Sequence, residues 1–128
     1  IYPTTSPTAN QMLSVLNVSG TDDSLTWVNG ISGTGTSTQS FMMAYKNYGS
    51  GSTSRNIEIN LSGNTAATFT IPAQGDFVYW RDTTYSMATG GSVVVTSNSG
   101  GKASGTFDVT FSGTPAHITG TFTNIPTR

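Results

Sequence analysis

From residue 57 onward, apolar and polar positions alternate with a period of two. Ile57, Ile59 and Leu61 are separated by Glu58 and Asn60, and Ala67, Phe69 and Ile71 by Thr68 and Thr70. Successive side chains of a strand point to opposite faces, so each run predicts a strand with one apolar and one polar face. The turn residues Ser62-Gly63-Asn64-Thr65 between the runs predict that they form a β-hairpin. The pattern is strongest in the last third. A valine run over Ser92 to Ser97 ends at Asn98-Ser99-Gly100-Gly101, and Phe107, Val109 and Phe111 then alternate with Thr106, Asp108 and Thr110. After Gly113-Thr114-Pro115 come Ile118, Gly120 and Phe122. These spacings predict a register of Phe107 opposite Phe122, Val109 opposite Gly120 and Phe111 opposite Ile118. A slip of one residue would bring Thr or Asp into the core. Val93 opposite Phe107 predicts the preceding hairpin, with Asn98 to Lys102 as its loop. Gly120 is expected to accommodate a bulge or a crowded neighbour.

The first half is less regular. Residues 1–11, with Pro3 and Pro7 among Ser and Thr, read as an extended leader or linker, and 12–128 as a single β-sandwich domain. Met12 to Val18 is apolar without a clear phase, Asp22-Asp23-Ser24 is a turn before Leu25 to Val28, and Ile31 to Ser40 reads as a Gly/Thr/Ser loop. Gln39 to Tyr48 supports two readings. Phe41, Met43 and Tyr45 alternate as in a strand, whereas Phe41, Tyr45 and Tyr48 with Gly49 fit a helix and its stop. The neighbouring strands favour the strand. The fold class expected is all-β, either a barrel or, preferred, an antiparallel β-sandwich, jelly-roll-like or immunoglobulin-like, with about eight or nine short strands.

Composition narrows the function more than the fold. The 128 residues fit one domain. Only 9% are charged, against roughly 25% in ordinary soluble domains. A net charge of −1 and the 13 aromatic residues argue for a folded chain rather than a disordered one. Lys46, Arg55, Arg81, Lys102 and Arg128 are scattered, so no basic face for nucleic acid is expected. No apolar run approaches the ~20 residues of a membrane-spanning helix. Ile1 to Asn10 has neither the basic start nor the apolar stretch of a signal peptide, the pattern expected of a mature or trimmed chain. The absence of Cys excludes disulfides, thiolate metal sites and cysteine nucleophiles. Ser, Thr, Gly and Asn replace the missing charge, and this composition leans toward an extracellular or cell-surface location.

Three segments carry a resemblance: Gly91-Ser92-Val93-Val94-Val95-Thr96, Lys102-Ala103-Ser104-Gly105-Thr106-Phe107 and Ile118-Thr119-Gly120-Thr121-Phe122. Over roughly residues 85–124 the chain resembles the C-terminal half of small, uncharacterised secreted lipoprotein β-sandwich domains of Bacteroidetes-type bacteria. The resemblance implies a sandwich at or near a bacterial surface and transfers no catalytic residue. The lipoprotein cysteine is missing from this sequence.

Candidate chemistry is sparse. His117 is the only histidine, so metal ligation or triad chemistry there would need Asp partners from elsewhere. Glycoside hydrolysis needs two carboxylates flanking one substrate. Glu58 and Asp108 fall on polar strand faces, but whether their strands are neighbours is not written in the sequence. Asp22-Asp23 lacks the regular ligand spacing of calcium loops and reads as a turn. The sequons at Asn17 and Asn60 fall on predicted strands and are read as chance matches. Neither catalysis, a metal nor a cofactor is expected.

The segment Phe77 to Tyr85 is richer. A strand through it sends Phe77 and Tyr79 to one face and Val78 and Trp80 to the other, so large aromatics must lie outside the main core. Flat aromatic surface beside polar groups suits a sugar ring, which makes Tyr79, Trp80, Arg81, Asp82 and Tyr85 the candidate carbohydrate-binding residues. Packing of Trp80 under a loop or at the end of the sandwich is the competing role. The first functional expectation is a non-catalytic structural, adhesive or assembly module. It would meet a protein partner, or a copy of itself, through a sheet edge or through Ile1 to Gln11. The alternative is a carbohydrate-binding module centred on Trp80.

Overall fold

The computed structural model describes residues 12–17, 29–34, 38–46, 55–81, 83–113 and 116–126. The proposed leader at 1–11, the Leu25 to Val28 run, the Asp22-Asp23 turn, Trp27 and Tyr48 lie outside them. The described residues form ten strands and no helix: β1 (Met12–Asn17), β2 (Asn29–Thr34), β3 (Gln39–Lys46), β4 (Arg55–Leu61), β5 (Ala67–Thr70), β6 (Gly75–Arg81), β7 (Thr84–Met87), β8 (Gly90–Ser99), β9 (Lys102–Thr110) and β10 (His117–Pro126). They pair as two five-stranded antiparallel sheets, β1-β10-β9-β8-β5 and β2-β3-β4-β6-β7. The expected all-β, sandwich-like architecture is what the chain forms.

Alternation explains how the two sheets share one core. Ile57, Ile59, Leu61, Phe77 and Tyr79 line the inner face of one sheet, and Val93, Val95, Phe107, Val109, Ile118 and Phe122 that of the other, all at most 3% exposed. Phe77 joins them, its ring centroid 5.0 Å from that of Phe107 and 6.2 Å from that of Phe111. Each such side chain, taken fully out of water, contributes roughly 1.5–3 kcal/mol.

Several local expectations change. Asn29–Thr34, which takes in the start of the loop expected over Ile31 to Ser40, is a strand paired residue by residue with β3. Backbone pairing does not need an apolar side chain, so a run with Ile31 as its one large apolar residue gives no periodic signal. Gln39–Lys46 is a strand, not a helix. β4 and β5 do not form a hairpin: β4 pairs with β3 and β6, while β5 pairs with β8 in the opposite sheet. Residues 62–66 therefore cross between the sheets. Alternation reports which face is apolar, not which strand lies alongside. The step back at Ala88 and Thr89 is abrupt, since Ala88 N–H donates to Phe77 O and Thr89 N–H to Thr110 O, one bond to each sheet.

The β9–β10 register differs from the expected one by two residues. Phe107 pairs with Gly120, Val109 with Ile118 and Gly105 with Phe122. A two-residue slip keeps every side chain on its own face, so hydrophobic pattern alone could not distinguish the two registers. Gly105, opposite Phe122, is a crowded position. A Cβ there would come within 2.6 Å of Phe122 Cζ and still closer to the Val94 carbonyl oxygen. The β8–β9 hairpin keeps the Val93–Phe107 pair, but its loop is tighter than expected. Ser99 pairs with Lys102 around Gly100 and Gly101, whose φ angles of 64° and 74° suit a two-residue turn of matching twist.

Two bulges reset the phase of their strands. The β8 register shifts between Val95 and Ser97, which turns Asn98 to the inner face opposite the buried Ala103. Asn98 Nδ2 there donates to the side-chain oxygen of Gln39, a residue only 1% exposed, and to Asn64 O at 2.8 Å. This polar tie joins β8 to β3 across the sandwich. The second shift, between Phe122 and Ile125, passes through Asn124 at φ 54° and brings Ile125 into the core. Asn124 N–H donates to Ser104 Oγ at 2.9 Å.

Candidate functional site

Because 57, 59 and 61 on β4 and 77 and 79 on β6 point inward, Glu58, Asn60, Val78 and Trp80 must point outward. β7 extends this outer face on the far side of β6, where Trp80 pairs with Tyr85 and Val78 with Met87. The Trp80 and Tyr85 rings lie 5.0 Å apart between centroids, inclined at 41°. Tyr85 is 58% exposed and Met87 49%, while Trp80 is half-buried. Offset and tilted aromatic pairs of this kind contribute about 0.5–1.5 kcal/mol beyond the area they bury. The pair is anchored to the sheet and open to solvent.

Polar groups border the rings on the β4 side. Trp80 Nε1–H donates to Glu58 Oε1 at 3.4 Å, and Asn60 Nδ2 donates to Glu58 Oε2 at 3.0 Å. Glu58 pairs with Val78 and Asn60 with Asp76, so the carboxylate and amide sit one strand from the indole. Apolar ring faces beside a carboxylate and an amide can stack on the C–H face of a sugar while hydrogen bonding to its hydroxyls.

Of the candidate carbohydrate-binding residues, the structure brings Trp80 and Tyr85 together on this face. Tyr79 is not part of it: at 2% exposed it belongs to the core, because it shares the phase of Phe77. Arg81 ends β6, paired with Arg55 and Thr84, and Asp82 lies outside the described residues. Glu58, Asn60 and Met87 complete the face without having been assigned to it from sequence. The alternation around Ile57 and Ile59 does place Glu58 and Asn60 on an outer face. Nothing in the sequence says that β4 borders β6, because β5 intervenes in the chain and leaves for the other sheet.

The opposite outer face has different chemistry. His117 Nε2 lies 2.5 Å from Asp108 Oδ1, across the β9–β10 pair. Beside them is a shallow depression of about 470 Å³ lined by Ser92, Val94, Thr106, Asp108, Thr119 and Thr121. Asp108 is thus the acidic partner that the lone histidine lacked in the sequence. Among the described residues, no group of three or more His, Asp or Glu side chains could hold a metal ion. Glu58 and Asp108 lie on opposite outer faces of the sandwich, one on each sheet, so they cannot flank one substrate. No helix among the described residues is long and apolar enough to cross a membrane.

No protein-family model, curated protein or solved structure matches the chain.

Proposed function

We propose that this domain is a non-catalytic recognition module of a secreted or cell-surface protein, binding carbohydrate on the outer face of the β2-β3-β4-β6-β7 sheet. The observation that carries this reading is the Trp80–Tyr85 ring pair on the outer sheet surface, Tyr85 exposed and Trp80 half-buried, with the Glu58 carboxylate bonded to its indole. A charge content of only 9% and the Thr- and Ser-rich composition support an extracellular setting. A glycan array tests the reading directly. Wild-type protein is expected to give hits that Trp80→Ala removes, and an empty array or an unaffected Trp80→Ala variant overturns it.

A second reading is favoured by the position of β7 at a sheet edge with Tyr85 and Met87 exposed on it. In this reading the edge meets a protein partner or a second copy, giving an adhesive or assembly module. Light scattering over a concentration series separates the two. Oligomers lost on Tyr85→Ala plus Met87→Ala support assembly, and a strictly monomeric protein at high concentration sinks it.

A further inference from the structure

We infer that Glu58 is the positioning residue of the aromatic platform, its carboxylate fixing the plane of the Trp80 indole that a sugar would meet. The functional half of this inference rests on the carbohydrate reading above, whereas the positioning half rests on geometry alone. Trp80 lies on an outer face, where no opposing sheet clamps it. β4 and β7 flank β6 on opposite sides, so the indole is held between the Glu58 carboxylate on one side and the Tyr85 ring on the other.

Glu58 is suited to this because it is itself held. One oxygen accepts from Asn60 Nδ2 at 3.0 Å and the other from the indole N–H at 3.4 Å. With both oxygens engaged, the carboxylate loses freedom about its terminal torsion, and the indole inherits that orientation. Hydrogen bonds to an ionised acceptor are roughly twice as strong as neutral ones. A ring ordered before binding spares the ligand the cost of ordering it. The chemistry also ranks substitutions. Gln at 58 keeps an oxygen that can accept from the indole, although its amide nitrogen cannot accept from Asn60, whereas Ala removes both bonds.

The chain holds two tryptophans, so a ¹H–¹⁵N spectrum has two indole resonances, and Trp80→Phe identifies the Trp80 signal. In Glu58→Ala this signal is expected to move upfield and its proton to exchange about tenfold faster, while Glu58→Gln keeps it near the wild-type position. Affinity is then read with cello-oligosaccharides, xylo-oligosaccharides and N-acetylglucosamine oligomers as probes. Glu58→Ala is expected to bind about tenfold more weakly and Glu58→Gln within about threefold of wild type. An indole signal unchanged in Glu58→Ala overturns the positioning role whatever the sugars do. A wild-type protein that binds none of the probes overturns the functional half, and the indole signal still decides the positioning half. Should Glu58→Ala fail to fold, Glu58→Leu, which keeps the bulk but offers no acceptor oxygen, decides: a Trp80 signal that stays at the wild-type position overturns the inference, and one that moves upfield supports it.

Discussion

On the outer face of the β2-β3-β4-β6-β7 sheet, the cross-strand neighbours Trp80 and Tyr85 put two aromatic rings against solvent. On the outer face of the other sheet, the row Ser92, Asp108 and Thr119 offers hydroxyls and a carboxylate, with His117 bonded to the acid. Both faces come from the same two-residue alternation, and both cover the same core. Packing dictates residue type on the inner faces, so a buried Phe says little beyond its own burial. Outer positions are free of that constraint, and Ser and Thr suffice to keep them wet. Among the described residues, aromatic rings reaching solvent on one face and not on the other therefore need an explanation beyond folding.

The strongest test of that contrast lies inside the sandwich. Phe77→Ala and Phe107→Ala remove the two halves of one ring contact between the sheets, and each is expected to cost about 3–5 kcal/mol in urea denaturation. If Trp80→Ala cost as much, the indole would be a structural element and the contrast between the faces would collapse. Gly105→Ala comes next, because the added methyl meets Phe122 Cζ and the Val94 carbonyl. A loss of about 1–3 kcal/mol is expected, with sugar binding retained on the distant sheet. Trp80→Ala itself should lower stability by about 1 kcal/mol, the scale of an exposed ring pair, while abolishing sugar binding on the array. The smallest effect belongs to the other face. Asp108→Ala is expected to change stability by about 0.2–1 kcal/mol, as for a solvent-exposed polar pair. Titration calorimetry with the same sugars should return the wild-type affinity for this variant, and a lost affinity would move the binding site to the hydroxyl-lined sheet.

The faces were more legible in the sequence than the neighbours. Ile57, Ile59, Val93, Phe107, Ile118 and Phe122 all read as inward from alternation, and all are buried, whereas alternation around Phe77 separates two faces without saying which is inner. Their partners were not readable to the same degree. The two-residue slip of Phe122 from Phe107 to Gly105 preserves every face, so no polar side chain is buried to betray it. β2 gives no periodic signal because its run of Gly, Ser and Thr lacks an apolar alternation, which backbone pairing does not require. The bulges at Thr96 and near Asn124 lie in runs where the phase changes without any break in composition. Trp80 and Tyr85 could be chosen for the candidate site because they are large and close in sequence. Tyr79 meets the same criterion but has the phase of Phe77, which puts it in the core. Glu58 could not be chosen, since its place beside Trp80 depends on β5 leaving the sheet.

The pairing of the first described strand with the last has a mechanical consequence. Met12, at the start of β1, lies opposite Thr123, near the end of β10. Tension applied between these two points pulls across the strands rather than along them. It loads the cross-strand hydrogen bonds one pair after another, as a zipper opens, instead of shearing all of them at once. A sheet wired this way yields early when stretched between Met12 and Thr123.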